Sequence, residues 1–287
     1  MQITELPIVG PASAFVYRLK GGFPYVYRPF RQFLGWLVTS TEHTNYTYDL
    51  DPVNKRYLAA FVAELTGTSF DDARQWIAEL DTDTGLLEHL VRSARDSSRQ
   101  GHRIDTDIQF GRRLGWYAVA RATKPRVVVE TGVDKGLGAA AICAALRRNA
   151  DEGFPGEYIG TEIDPEKGFL LGGDYSAFGR IVYGDSIETL RSLDRTIDLF
   201  INDSDHSDDY ERREYETIER KLGAKAIVIG DNWASEKLLE FALRSGRRFL
   251  FFREEPLAHW YPGEGIAAAF GSRAGTEGAI GGRTARG

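Results

Sequence analysis

The chain has 287 residues, of which 42% are hydrophobic and 27% charged, and its net charge at pH 7 is −6. That length allows a sizeable apolar core, and the composition is ordinary for a soluble globular protein. The acidic balance argues against nucleic acid as a partner. The single cysteine, Cys143, excludes an intrachain disulfide and a cysteine-based metal site, and it fits a reducing compartment.

Targeting and membrane signals are the next features that the sequence can exclude. No apolar run reaches the roughly 18 residues that a membrane span needs. The first ten residues, MQITELPIVG, lack the basic and apolar regions of a signal peptide. We therefore expect a cytoplasmic protein that has no membrane partner.

The first hundred residues combine an aromatic, basic segment with helical patterns. Residues 23–38, FPYVYRPFRQFLGWLV, are aromatic and basic, and residues 44–52, TNYTYDLDP, are typical of an irregular connection. Residues 54–99 indicate two or three amphipathic helices, one of which begins after Ser69, a typical N-cap followed by two acids. We predict a mainly helical region over residues 1–105, which caps the site, contacts substrate, or forms the surface of a homodimer or higher homo-oligomer.

Short apolar runs alternate with helical patterns through most of the remaining chain. This alternation predicts an α/β fold of the Rossmann-like, doubly wound kind with a mostly parallel seven-stranded sheet. The seventh run, residues 265–270, follows the sixth too closely for a helical crossover, so we expect an antiparallel last strand. We assign residues 106–272 to this domain and the glycine-rich residues 273–287 to a flexible tail. The first six runs are residues 126–131, 157–163, 180–184, 197–202, 226–231 and 248–254.

A glycine-rich turn follows the first of these strands and precedes an alanine-rich helix. In VVVETGVDKGLG, Gly132 and Gly136 permit a tight turn and a close approach of a ligand to the backbone. The helix that follows offers unpaired N–H groups at its N-terminus. The pattern E-x-G-x-x-x-G-x-G, which begins at Glu130, differs from the G-x-G-x-x-G of dinucleotide folds, and this argues against an NAD-linked oxidoreductase.

The second and third strands end in acidic residues. Glu162, in TEIDPE, can accept hydrogen bonds from both hydroxyls of a ribose, whereas Asp164 is either an alternative acceptor or a helix cap. Asp185, in YGDS, can accept a hydrogen bond from an adenine amino group or can cap the helix that begins with SIETL. The order of these segments after the glycine turn favours a nucleoside-containing ligand.

Taken together, these three segments resemble the S-adenosylmethionine-binding motifs of class I methyltransferases. The E-x-G-x-x-x-G form is similar to that of the metal-dependent catechol, caffeoyl-CoA and macrocin-type O-methyltransferases, and the resemblance covers roughly residues 110–270. It implies the class I methyltransferase fold and S-adenosylmethionine as cofactor. The resemblance places the methionine part at Glu130, Gly132 and Gly136, the ribose at Glu162, and the adenine at Asp185 and Ser186.

The fourth and fifth strands also end in polar residues, in INDSDHSDDY and IGDNW. Neighbouring parallel strands lie about 4.8 Å apart, so Asp203, Asp231 and Asn232 are expected to converge. Two carboxylates and an amide oxygen suit Mg²⁺ or another divalent cation. The resemblance implies the same three ligands, because catechol-type enzymes carry an acid and an Asp–Asn pair in corresponding places. The longer acidic stretch in this chain leaves Asp205 as an alternative ligand.

Methyl transfer to an alcohol also needs a group that removes the hydroxyl proton. A bound metal would orient the hydroxyl and lower its pKa, and a nearby base would take the proton. His206, whose ordinary pKa is about 6.5, is one candidate for this base. Metal-bound Asp203 is the other, as the resemblance to sugar O-methyltransferases implies. We expect Asp208 and Asp209 to begin a helix rather than to bind a metal.

The sequence therefore predicts an O-methyltransferase that depends on S-adenosylmethionine and a divalent metal. Its expected partner is a small-molecule acceptor, namely a sugar or another small polar natural product that is methylated on a hydroxyl. A metal-independent small-molecule N- or O-methyltransferase is the alternative within the same class. A nucleotide-binding protein without catalytic activity is the alternative from another class.

Overall fold

A computed structural model describes residues 9–42, 47–97, 104–231 and 235–271 of the chain. The predicted tail at residues 273–287 lies outside this part. Five helices precede the first strand: α1 (Val9–Thr39), α2 (Pro52–Thr66), α3 (Phe70–Asp81), α4 (Thr84–Asp96) and α5 (Arg113–Thr123). Four further helices follow it: α6 (Leu137–Asp151), α7 (Ser186–Ser192), α8 (Asp208–Ile218) and α9 (Lys237–Arg244).

The seven strands form one sheet with the order β3-β2-β1-β4-β5-β7-β6. Strands β1 to β5 pair in parallel, while β7 is antiparallel to both β5 and β6, as the sequence predicts. The strands are β1 (Val127–Thr131), β2 (Glu157–Glu162), β3 (Gly179–Tyr183), β4 (Ile197–Asn202), β5 (Leu222–Gly230), β6 (Arg248–Arg253) and β7 (Gly265–Phe270). The predicted Rossmann-like fold is confirmed.

Strands β1 and β7 are buried along their whole length because helices cover both faces of the sheet. All five residues of β1 are buried, as are all six of β7. Strand β5 begins at Leu222, four residues before the predicted run at 226. The residues from Leu222 to Lys225 are half-buried or exposed. An apolar pattern identifies the buried part of a strand only, so this earlier start gives no signal in the sequence.

Helices α2 to α4 pack into the same apolar core as the sheet. Leu58 of α2 is fully buried, and it contacts α5 at Gly115. A Cβ atom on Gly115 would lie 2.8 Å from Leu58 and from Ile266 of β7, so the glycine permits this close approach. The predicted cap of α3 is confirmed, because the Ser69 hydroxyl accepts a hydrogen bond from the backbone N–H of Asp72 at 3.0 Å.

Helix α1 differs from the others because most of it projects from the body. All residues from 15 to 31 are exposed. Near its C-terminal end the rings of Phe33 and Trp36 pack against Trp260, with centroids 5.2 and 5.1 Å apart. Among the described residues, no helix combines the length and the apolarity that a membrane span requires.

The contact of α2 with the sheet domain predicts a large effect of truncating Leu58. We expect Leu58→Ala to lower the free energy of unfolding by about 2–5 kcal/mol, because it opens a cavity where α2, α5 and β7 meet. Chemical denaturation followed by circular dichroism measures this change. Leu243→Ala is the matched control, since Leu243 is 51% exposed in α9 and its truncation should change stability by less than about 0.5 kcal/mol. Equal effects of the two substitutions would contradict the shared core.

Candidate active site

A cavity of about 710 Å³ opens at the carboxyl ends of the parallel strands. This is where ligands bind in open α/β sheets, and the volume suits a small-molecule ligand. One side is lined by residues of the three predicted cofactor segments, which include Gly132, Asp134, Glu162, Asp185 and Ser186. The other side is lined by residues that include Asp203, Asp205, His206, Asp231, Arg112, Tyr48, Tyr261 and Glu264.

The loop after β1 is held between the loops that follow β2 and β4. Gly132 has a φ of +79°, and a Cβ atom there would lie 1.9 Å from the backbone oxygen of Asp203. Only glycine allows so close an approach. Glu162 anchors the next turns, because its carboxylate accepts hydrogen bonds from the backbone N–H groups of Asp134 at 2.8 Å and Asp164 at 3.0 Å. The carboxylate of Glu162 retains lone pairs for a ligand that enters the cavity.

Glu130 and Gly136 support the same loop, and neither is among the residues that line the cavity. Glu130 is 1% exposed and accepts a hydrogen bond from the Tyr158 hydroxyl at 2.7 Å. Burial raises the pKa of Glu130 to about 7. Gly136 has a φ of +97° and is the N-cap of α6. The structure thus places both residues in the wall behind the loop.

Asp185 and Ser186 line the cavity and also have structural partners. The Asp185 carboxylate accepts a hydrogen bond from the backbone N–H of Glu188 at 3.1 Å, which confirms the predicted cap of α7. The Ser186 hydroxyl donates to the buried carboxylate of Glu214 in α8. Asp164 accepts from the backbone N–H of Glu166 at 3.0 Å, so it shapes the turn after β2.

Glu214 is the centre of a buried polar network that the sequence analysis did not find. It is 0% exposed, and it accepts hydrogen bonds from the hydroxyls of Thr131 at 3.2 Å and Ser204 at 2.8 Å, and from the Asn202 amide. Burial raises the pKa of Glu214 to about 7. The network ties together the ends of β1 and β4 and the start of α7. Its sequence signal is weak, because α8 is rich in glutamate and only packing brings Glu214 to this network.

Asp203 and Asp231 meet beside this network, as the parallel pairing of β4 and β5 predicts. The register pairs Asn202 with Gly230, so the next residues of both strands lie side by side. Burial and the neighbouring Asp231 raise the pKa of Asp203 well above its usual value. Burial also acts to raise the pKa of Asp231, but the Arg112 guanidinium outweighs this and lowers it. The pKa of Asp203 therefore lies above that of Asp231.

Arg112 is the cation that neutralises this pair, and no motif in the sequence indicated it. Its Nε and Nη2 atoms donate to the two carboxylate oxygens of Asp231, a bidentate contact buried from solvent. Its Nη1 atom lies 3.0 Å from the Tyr48 hydroxyl and 3.2 Å from Glu254. Nη2 lies 3.3 Å from Glu264. Arg112 therefore joins the loop before α2 to the ends of β5 and β6.

His206 lies at the open side of the acid pair. Its Nε2 atom is 3.8 Å from Asp203, and its Nδ1 atom is 3.7 Å from the buried Glu211. The interaction with Glu211 raises the pKa of His206. Asp208 and Asp209 begin α8, as predicted, while Asp205 accepts from the backbone N–H of Ser207 at 2.8 Å.

Three side chains could hold a divalent cation at this point. Asp203, His206 and Asp231 each offer one ligand atom, and these atoms all lie within 4.8 Å of one another. Carboxylate oxygens with an imidazole nitrogen suit several divalent ions, and a cation would relieve the repulsion that raises the pKa of Asp203. These residues therefore fit a metal. The predicted ligand Asn232 lies outside the described residues, and the structure brings His206 to the cluster.

Comparison with known proteins agrees with the fold and the cavity. Residues 129–233, from β1 to just beyond β5, match a family model described as a methyltransferase domain. Over this segment the chain is similar to methyltransferase domains. The segment contains the glycine turn, Glu162, Asp185 and both carboxylates of the acid pair, whereas Arg112 and the N-terminal helices lie outside it.

Several relatives are more distant or match over part of their length. A nicotinate-nucleotide–dimethylbenzimidazole phosphoribosyltransferase of Ruegeria sp. is 32% identical over an alignment of 155 residues. This alignment covers 49% of this chain and 44% of that protein. The chain thus spans less than half of that relative. A putative O-methyltransferase of Klebsiella pneumoniae is 15% identical and has a TM-score of 0.48, covering 68% of this chain and 94% of its own. TomG of Streptomyces achromogenes, an O-methyltransferase of tomaymycin synthesis, is 13% identical with a TM-score of 0.48, covering 67% and 91%.

The buried Arg112–Asp231 contact predicts a strong effect on stability. We expect Arg112→Gln to lower the free energy of unfolding by about 3–5 kcal/mol, because it leaves a buried carboxylate without its cation. The double variant Arg112→Gln/Asp231→Asn should recover part of this loss, since it removes the stranded charge. Chemical denaturation of both variants measures the difference.

Arg74→Gln provides the control for loss of an arginine ion pair. Arg74 pairs with Asp71 at 3.4 Å on the exposed face of α3, and its replacement should cost less than about 1 kcal/mol. The central role of Arg112 would be refuted if Arg112→Gln were as stable as Arg74→Gln.

Proposed function

We propose that the chain is an S-adenosylmethionine-dependent O-methyltransferase that uses a divalent cation and methylates a hydroxyl of a sugar or another small polar natural product. The observation that carries the proposal is that one cavity is lined both by the predicted cofactor segments and by the Asp203–His206–Asp231 cluster. The methyltransferase domain at residues 129–233 supports the same reaction class.

The cofactor side of the cavity is ready to receive a nucleoside. The Glu162 carboxylate, fixed by two backbone N–H groups, can accept hydrogen bonds from ribose hydroxyls. Asp185 and Ser186 line the same side where an adenine would lie, while Gly132 leaves the backbone open beside it. S-adenosylmethionine supplies an electrophilic methyl group when it is bound.

The acceptor side combines groups that bind and activate a hydroxyl. Asp203, His206 and Asp231 would hold a divalent cation, which orients a hydroxyl and lowers its pKa. The proton of the acceptor goes to one of the two bases that the sequence favours. If Asp203 and Asp231 alone hold the cation, the free imidazole of His206 takes the proton; if His206 is a ligand through Nε2, a carboxylate oxygen of Asp203 takes it. Glu211 holds the imidazole of His206 in place on the side away from Asp203. Tyr48 and Tyr261 add ring faces and hydroxyls to this side, a lining that suits a small polar acceptor such as a sugar.

A metal-independent methyltransferase is the second candidate, and one observation favours it. The Arg112 guanidinium already binds both oxygens of Asp231, so part of the negative charge is neutralised by the protein itself. In that case the His206–Glu211 pair alone would remove the acceptor proton. The two candidates differ in whether a chelator stops turnover.

Cofactor binding is the first test of the proposal. We expect S-adenosylhomocysteine to bind in calorimetry, and Glu162→Gln to weaken this binding about 10- to 100-fold because a charge-assisted hydrogen bond is lost. Glu166→Gln is the matched control, since Glu166 is exposed on the same turn and should leave the affinity unchanged. Binding of NAD without binding of S-adenosylhomocysteine would overturn the assignment.

Metal dependence is the second test. We expect Mn²⁺ or Mg²⁺ to bind in calorimetry, and Asp203→Asn to weaken this binding roughly tenfold or more because it removes a ligand without changing the size of the side chain. Turnover of S-adenosylmethionine with a set of glycosides and vicinal diols should stop in EDTA and return when Mg²⁺ is added.

Asp208→Asn is the control for general loss of negative charge in this segment. Asp208 is a largely exposed acid at the start of α8, so its replacement should leave metal binding intact. Full turnover in EDTA would instead support the metal-independent candidate. Asp205→Asn separates the two possible ligands, because metal affinity lost there but kept in Asp203→Asn would assign the ligand role to Asp205.

A further inference from the structure

Helix α1 carries an apolar stripe that the described body leaves uncovered. Large apolar side chains recur along one face at spacings of three or four residues, with exposed fractions between 48% and 70%. From first to last they span about 28 Å along the helix axis. The stripe consists of Phe15, Leu19, Phe23, Val26, Phe30 and Leu34. An exposed apolar surface of this extent marks an interaction site.

The charge of α1 is opposite to that of the remaining chain. Residues 9–39 contain four basic side chains and no acidic one, within a chain whose net charge is −6, which leaves −10 on the other residues. At 100° per residue, Arg18 lies on one flank of the stripe, Lys20 and Arg31 on the other, and Arg28 opposite. The stripe is thus bordered by cations on both sides.

The helical conformation of α1 also calls for a stabilising surface. The interior contains Pro24 and Pro29, and glycines at positions 21, 22 and 35, all of which disfavour a helix in water. Because residues 15–31 are all exposed, packing on the body does not offset this cost for the projecting part. An apolar surface that covers the stripe would offset this cost of the helical conformation.

The attachment point of α1 places this stripe next to the cavity. Phe33 and Trp36 pack on Trp260, and the neighbouring residue Tyr261 lines the cavity. The ring of Tyr261 also contacts that of Tyr48, and the Tyr48 hydroxyl accepts a hydrogen bond from Arg112. Whatever covers the stripe therefore lies close to the acceptor side of the site.

We propose that α1 lies in the surface of a lipid bilayer that contains anionic lipids. An amphipathic helix with basic flanks and Phe, Tyr and Leu side chains inserts its apolar face among the acyl chains while its cations meet lipid headgroups. Tyr27 borders the stripe at 100° per residue and is 48% exposed, and amphipathic rings are favoured at the interface of membrane and water. The proposal departs from the sequence-based expectation that the protein has no membrane partner, because that expectation considered spanning segments and signal peptides and not a helix that lies on the surface.

A second copy of the chain fits these observations less well. Two copies of α1 placed face to face would bring six flanking basic side chains together with no acid between them, and like charges oppose such pairing. The described body does not offer a matching stripe in its place, because its large exposed apolar side chains belong to different elements, such as Phe70, Phe154 and Leu243. A lipid surface would bury the apolar stripe, and its anionic headgroups would pair with the cations of α1.

Co-sedimentation of the full chain with vesicles tests the proposal. We expect the protein to sediment with vesicles in which about one third of the lipid is phosphatidylglycerol, and less with phosphatidylcholine alone. Raising the salt concentration should weaken the binding. Lys20→Gln/Arg31→Gln, which removes two cations that flank the stripe, should reduce the partition coefficient about fivefold for each charge removed.

Leu19→Glu and Leu243→Glu form a matched pair for the apolar stripe. Both leucines are 51% exposed on a helix, but Leu19 lies in the stripe and Leu243 lies in α9. We expect Leu19→Glu to abolish sedimentation with anionic vesicles, while Leu243→Glu keeps the binding of the wild type. Neither position belongs to the cavity, so S-adenosylhomocysteine binding should be retained in both and reports that the protein is folded.

Three outcomes would overturn the proposal. The first is failure of the wild-type chain to bind anionic vesicles, and the second is equal binding by Leu19→Glu and Leu243→Glu. The third is a wild-type dimer or higher oligomer in light scattering that Leu19→Glu converts to monomer without any vesicle binding, which would assign the stripe to a second copy. These readouts do not depend on turnover, so they are separate from the tests of the proposed reaction.

Discussion

The contact of Asp203 with Asp231 is the constraint around which the site is built. Parallel pairing of β4 and β5 brings two carboxylates together at the ends of buried strands, where their repulsion cannot be screened by solvent. The bidentate contact of Arg112 with Asp231 offsets part of this repulsion, and the pKa of Asp203 is raised well above its usual value. A cation that enters from the cavity therefore meets an acid pair whose negative charge Arg112 already offsets in part.

This constraint reaches far beyond the two acids. Arg112 draws in Tyr48 from the N-terminal part of the chain and Glu254 from the end of β6, so the acceptor side is assembled from distant segments. On the other side, the buried Glu214 holds the ends of β1 and β4 at fixed spacing. The close approach at Gly132 then sets the floor of the cavity between these two networks. The site is rigid where polar groups are buried and open where His206 faces the cavity.

The N-terminal part of the chain has two different physical roles. Helices α2 to α4 bury apolar faces against the sheet domain, and they place the loop that carries Tyr48. Helix α1 contributes little to that core and instead displays an apolar, basic surface beside Trp260. The two roles explain why the composition of residues 23–38 differs so clearly from that of the helices that follow. Burial selects alternating faces in α2 to α4, whereas α1 keeps apolar and cationic side chains exposed together.

The sequence by itself determined the order of the strands along the chain, the antiparallel last strand, the glycine turn and the convergence of Asp203 with Asp231. These features depend on local periodicity and on strand ends, which neighbouring residues encode. Only the tertiary structure decided which cation meets Asp231, which glutamate of α8 binds the ends of β1 and β4, and that His206 joins the acid pair. Arg112 and Glu214 carry no local signal, because their roles arise from contacts across 119 and 83 positions of the chain. Such contacts exist only after the sheet has brought separate segments to one edge.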